Sequence, residues 1–116
     1  MYRVHAAGAS IHLEPVPVCI ESLDPDYVFV LDTGNKIFMW YGKKAKSTLK
    51  SKARLMAEKI NKNERKNKAE IITDVMGAES EDFLLNLGVE EHEWKNLQIV
   101  VSFLFTIHVV IVIKIL

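Results

Sequence analysis

Lys46, Lys50 and Arg54 recur every four residues within KKAKSTLKSKAR, residues 43–54. On a helix that spacing places all three cations on one face. The chemistry they offer is electrostatic: long-range attraction and charge-assisted hydrogen bonds to an anionic partner. The plainer reading of the same pattern is a solvated helix face, eased by pairs one turn apart such as Arg54–Glu58 and Glu58–Lys62. Lys46 and Lys50 fall near the expected helix start, where a cation opposes the dipole at about 0.3–1 kcal/mol each. The four histidines, His5, His12, His92 and His108, are the other candidates. His5 and His12 can face each other across two strands, but no set of cysteines or carboxylates completes a metal site around them, so structural roles are expected. The chain carries no glycine-rich phosphate loop, nucleophile elbow or Cys/His pair, which points away from an enzyme. Asp32 reads as a turn residue. Nucleic acid is not an expected partner, because no recognition motif or aromatic stacking platform accompanies the cations.

The rest of the composition sets the frame for that basic face. The chain has 116 residues, formal net charge zero, 49% hydrophobic and 26% charged residues. This describes one globular domain with one core. Neutrality hides segregation. Eleven of the fifteen basic residues lie between Lys43 and Lys68, beside only Glu58 and Glu64. The acids gather on either side, five from Glu14 to Asp32 and eight from Glu70 to Glu93. A molecule with one basic element among acidic ones is the expectation. Cys19 is the single cysteine, so no internal disulfide forms and a reducing compartment suits the chain. MYRVHAAGAS lacks the apolar core of a signal peptide.

The elements that position the basic face are legible from their periodicity. YRVHAA reads as a strand. IHLEPVPV reads as extended, and Pro15 and Pro17 confine it to a sheet edge. ESLDPD is a loop. In YVFVLDTGNKIFMWYG, residues 27–42, two apolar runs flank the turn DTGN, with Gly34 able to take a positive φ. Val28 and Val30 face one way, Tyr27, Phe29 and Leu31 the other. Ile37, Met39 and Tyr41 oppose Phe38 and Trp40 in the same manner. A sheet with one wet face alternates apolar with polar, and this hairpin does not, so both of its faces need cover. Leu49, Ala53, Met56, Ala57 and Ile60 form one apolar helical stripe. Ser47 or Thr48 is the expected cap, and about Asn61 the expected end. AEIITDV follows as a strand. SEDFLLNLG follows as a short helix, with Ser80 as cap, Glu81 and Asp82 at the positive dipole end and Gly88 as the stop. The order β-β-β-β-α-β-α fits an α+β fold, a sheet of about five strands between a long and a short helix.

YVFVLDTGNKIFMWYGKKA, the basic amphipathic helix, INKNERKNKAEI and GAESEDFLLNLG occur in an order that resembles a gelsolin/villin-type domain, over roughly residues 2–88. Within that family the likeness is to the second domain of the series. The resemblance implies an α/β/α sandwich with a five-stranded mixed sheet, actin as partner, and a cytoplasmic place on the actin cytoskeleton. It also implies that the long helix and first strands help hold the side of the filament. Lys50 falls where such a domain carries a basic contact residue, and Lys46 and Arg54 extend the same face. The family's intrinsic calcium site uses an Asp before the third strand and a Glu in the first turn of the long helix. Tyr27 and Leu49 occupy those places, and calcium requires several oxygen ligands, so no calcium and no other cofactor is expected. HAAGAS replaces the family's basic cluster after the first strand, which removes the basis for a phosphoinositide site there. Val28 and Tyr41 stand near the positions of the disulfide of secreted gelsolin, which therefore has no counterpart.

The expected domain is residues 1–95, followed by a tail, residues 96–116. LQIVVSFLFTIHVVIVIKIL, residues 97–116, is about as long as a membrane span and carries only His108 and Lys114 as potential charges. A membrane anchor, a β-rich segment packed on the domain and a surface for a neighbouring domain are open readings. The favoured one is a truncated or aberrant end, because the family continues at this point with a polar linker. A membrane is a partner only on the anchor reading, and the other alternative to an actin-binding module is a scaffold domain with a non-actin protein partner, open because the calcium ligands and one basic cluster are replaced.

Overall fold

Strands β1 (Tyr2–Ala7), β2 (Ser10–Pro15), β3 (Val28–Asp32), β4 (Lys36–Tyr41) and β5 (Glu70–Val75), with helices α1 (Ser47–Glu64) and α2 (Glu81–Asn86), make up a computed structural model that describes residues 1–89. The tail at residues 97–116, the proposed boundary at 95/96, His92 and His108 lie outside the described residues. The sheet order is β2-β1-β3-β4-β5. The first four strands pair antiparallel and β5 joins β4 in parallel. A parallel neighbour needs a crossover, and α1 supplies it. β2 lies at the edge, as Pro15 requires, and Pro15 closes the strand opposite Tyr2, with Pro17 beyond its end. Val28 and Tyr41 face each other directly across β3 and β4.

Both faces of the hairpin are covered. On one, Val4, Val28, Val30, Ile37 and Met39 are sealed beneath Ala53 and Ala57 of α1. On the other, Phe29, Leu31, Phe38 and Trp40 are sealed beneath Phe83, Leu84 and Leu87, in and just after α2. Each large apolar side chain so buried contributes about 1.5–3 kcal/mol against its exposed state. That sum explains why apolar residues occupy every position from Val28 to Leu31 and from Ile37 to Tyr41. The alanines of α1 bring its axis close to the sheet, and the longer Leu49 and Ile60 close the ends of the contact.

Polar contacts secure the corners. Asp32 accepts the Gly34 N–H at 2.9 Å, with Gly34 at φ +100°, so it is the expected turn residue. It does more than that. Arg65, one residue past α1, grips the same carboxylate through Nη2 at 2.8 Å and Nε at 3.2 Å. Lys36 at the start of β4 pairs with Asp82 of α2, and Lys52 reaches the Gly8 carbonyl in the β1–β2 turn. Each helix is thereby tied to a strand end by charge as well as by packing. Ser80 accepts the Phe83 N–H at 3.3 Å, the expected cap. Gly88 takes a positive φ, the expected stop. Ser80 is itself held by buried Asp74, whose carboxylate accepts both its N–H and its hydroxyl.

Two details of α1 differ from the sequence reading. The cap position belongs to Lys46, which makes no side-chain cap hydrogen bond, while Ser47 is the first helical residue and its carbonyl accepts from Ser51 Oγ. Lysine has no acceptor to offer the first-turn amides, so tertiary packing of Ala53 and Ala57, not local capping, sets where the helix begins. The helix also runs one turn past Asn61, to Glu64. Asn61 is not a breaker; it is buried, and its side chain bonds both backbone groups of Ala69.

Candidate functional site

α1 lies with its alanine stripe on the sheet, so its opposite side faces solvent. The i, i+4 spacing puts Lys46, Lys50 and Arg54 along one flank of the helix. Lys46 and Arg54 are exposed and Lys50 is half-buried. The Lys50 ammonium stands 5.5 Å from the centroid of the Tyr41 ring, within range of a cation–π contact. Arg54 Nε donates to Glu58 Oε1 at 3.1 Å, the helical pair expected one turn apart. That contact engages Nε alone and leaves the two terminal nitrogens of the fork for another acceptor. The three cations thus share one flank that borders the sheet-facing stripe, Lys46 and Arg54 exposed and Lys50 half-buried against the Tyr41 ring.

Tyr41 closes β4 on the α1 side of the sheet. Burial pushes its phenol above the ordinary value, and the nearby Arg54 charge acts in the opposite direction. The hydroxyl stays neutral at physiological pH, a polar tip beside two cations. Sequence reasoning put Tyr41 on one face with Ile37 and Met39, without saying which helix covers that face, and gave it no part in the site. Its position at the end of a strand, next to a basic helix, was the available signal.

The histidine cluster forms elsewhere. His5 and His12 are direct cross-strand partners with ring centroids 5.7 Å apart. His5 Nε2 donates to Glu14 Oε1 at 2.7 Å, and Arg3 approaches the same oxygen at 3.5 Å. The His5 hydrogen bond, with the Arg3 charge behind it, holds the Glu14 carboxyl below the usual carboxylate range. Arg3 also lies over the Tyr27 ring, 5.0 Å from its centroid. These contacts are cross-strand pairing of an exposed sheet end. Among the described residues no group of three or more His, Cys, Asp or Glu side chains is placed to hold a metal ion. Tyr27 packs against the α2-side cluster and Leu49 against the α1-side cluster. The backbone N–H of neighbouring Asp26 donates to Asp24 Oδ1 at 2.9 Å in a local turn.

A five-stranded mixed sheet between a long amphipathic helix and a short capped one, with α1 tied back to the β3–β4 turn by Arg65, defines a gelsolin-like domain. The gelsolin-repeat family profile matches residues 10–84, and the chain belongs to that family. Its relatives include Protein flightless-1 of Drosophila melanogaster, 57% identical over 93 residues that cover 80% of this chain and 7% of that protein. The chain thus spans a small fraction of that relative's length. Among solved structures, the Thorarchaeota 2DGel3/rabbit actin complex aligns with a TM-score of 0.67 at 30% identity, over 73% of this chain and 43% of that one. The Thorarchaeota ProGel/rabbit actin complex aligns with a TM-score of 0.64 at 26% identity, over 75% of this chain and 97% of that one.

Proposed function

We propose that this domain is a non-catalytic actin-binding module of the cytoplasmic cytoskeleton, docking on the filament side through the outer flank of α1. The observation that carries the reading is the gathering of Lys46, Lys50 and Arg54 along one flank of α1, with Lys46 and Arg54 exposed and the Lys50 ammonium at the Tyr41 ring. Support comes from the two solved relatives of the same fold, both found in complexes with rabbit actin. An acidic filament supplies the complementary field, which raises the encounter rate and selects orientation. A single domain of this size binds weakly, and capping or severing belongs to a multidomain parent in which several sites are linked.

The test is co-sedimentation of the chain with actin filaments at two salt concentrations. Replacing Lys46, Lys50 and Arg54 together by Glu is expected to weaken pelleting by roughly thirtyfold or more, since each attraction becomes a repulsion. Binding of the native chain falls as salt rises, because the attraction is screened over about 10 Å at 0.1 M. Melting of the triple variant stays close to that of the native chain, because glutamate suits the positive end of α1 better than Lys46 and Lys50 do, which offsets the loss of the exposed Arg54–Glu58 pair. Unchanged pelleting by a folded triple variant would overturn the reading.

Binding is further proposed to be independent of calcium at the family's intrinsic site. On the family resemblance Tyr27 and Leu49 fall at the carboxylate positions, and a phenol and an isobutyl group are poor and null ligands for a hard cation. Calorimetric titration of the chain with calcium is expected to give no micromolar one-to-one isotherm. Such an isotherm, abolished by changing neighbouring Asp26 to Asn, would show that the site survives.

A further inference from the structure

The outer flank of α1 is not uniformly charged. Beside it runs an open groove of about 470 Å³ lined by Tyr41, Lys50, Ser51, Arg54, Leu55 and Glu58. Leu55 is 61% exposed, the most exposed large hydrophobic side chain among the described residues. It belongs to no part of the core. It sits two residues from both Ala53 and Ala57, on the side of the helix turned away from the sheet. The apolar surface continues past Tyr41. Val75 is the partner of Tyr41 in the parallel β4–β5 register and is 45% exposed on the edge strand. The groove therefore offers a leucine and an aromatic ring flanked by two cations. Its one acid, Glu58, is already paired with Arg54.

We infer that this groove seats a protein segment in which a carboxylate stands beside an apolar side chain. The carboxylate takes the position between the Lys50 ammonium and the free end of the Arg54 fork. The apolar group covers Leu55 and the edge of Tyr41. Charge complementarity argues for the acid, since the groove has cations to spare. Leu55 argues for the neighbouring apolar group and for protein as the source. A phosphate surface would engage the cations and leave the leucine in water, whereas a mixed segment desolvates it. This inference rests on the docking reading above and specifies what that reading leaves open: the contact is a central apolar anchor with a charged rim, not a purely electrostatic face.

The experiment uses the full chain and purified actin filaments. Leu55→Ser is expected to weaken binding by about tenfold, the loss of one buried leucine anchor, with the salt dependence unchanged. Because Leu55 is exposed, the variant melts with the native protein. Leu55→Met restores binding to within about twofold of native. Lys50→Gln, in contrast, flattens the salt dependence. Carbodiimide, which joins an amine to a carboxylate in contact with it, is expected to couple Lys50 to the filament, and Lys50→Gln removes that product. Native pelleting by Leu55→Ser, with the triple charge reversal still abolishing it, overturns the groove and leaves the docking reading standing. Native pelleting by both variants overturns both. A coupling pattern unaffected by Lys50→Gln overturns the carboxylate seat.

Discussion

Gly42→Ala is expected to destabilise the domain by about 3 kcal/mol or more, at the upper end for a single substitution. A Cβ on Gly42 would lie 2.1 Å from the Pro25 carbonyl oxygen, 2.5 Å from its carbon and 2.8 Å from the Tyr27 oxygen. All three are backbone atoms, so no side chain can swing aside. The close approach has a purpose. Gly42 N–H donates to Tyr27 O at 3.0 Å and Lys44 N–H donates to Pro25 O at 2.9 Å. These bonds fasten the loop before β3 to the connection that launches α1. A methyl group forces the two segments apart, breaks both bonds and displaces the start of the helix that carries Lys46. Thermal and urea unfolding measure the effect. A Gly42→Ala protein that melts within a few degrees of native would mean that the two segments can part at little cost.

The second large effect belongs to Asn61. Its Nδ2 donates to Ala69 O at 2.9 Å, and its Oδ1 accepts from Ala69 N at 3.0 Å. Its own carbonyl accepts from Arg65 N and Asn67 N at 3.1 and 2.9 Å. One residue thus satisfies the chain as it leaves α1, passes Lys66 and Asn67 at positive φ, and turns back into β5. Ala69 is itself buried. Asn61→Ala leaves its N–H and C=O without partners, at about 1–3 kcal/mol for each stranded group. A loss of about 3 kcal/mol is expected in urea unfolding, against less than about 0.5 kcal/mol for Asn63→Ala, an exposed asparagine on the same helix. Hydrogen exchange adds a local readout, with the Ala69 amide losing protection in the Asn61 variant. Equal stability of the two variants would show that water replaces the lost amide.

These two sites differ in kind from what periodicity reveals. The hairpin's unbroken apolar runs required cover on both faces, and α1 and α2 provide it. The alanine stripe specified which side of α1 faces the sheet, and the i, i+4 cations run along its border, Lys50 half-buried against Tyr41 and Lys46 and Arg54 exposed. Ser80 and Gly88 marked the ends of α2 by local backbone chemistry. All of these follow from patterns that repeat within a few residues, because a buried face imposes its period on the chain that forms it. The expected capping of α1 by Ser47 or Thr48 failed for the complementary reason. Local propensity there was overridden by the packing that sets the helix position.

Order of elements, two-sided burial and the basic flank of α1 were thus determined by the sequence alone, since each is a matter of side-chain period and charge along one segment. Tertiary structure alone decided that Asn61 closes on Ala69, that Gly42 admits the Pro25 carbonyl, that Arg65 clasps Asp32, and that Leu55 and Tyr41 line one groove with Lys50 and Arg54. Each of those depends on two segments distant along the chain arriving at one point. No local pattern records such a meeting, because its energy exists only after the sheet has brought the partners together.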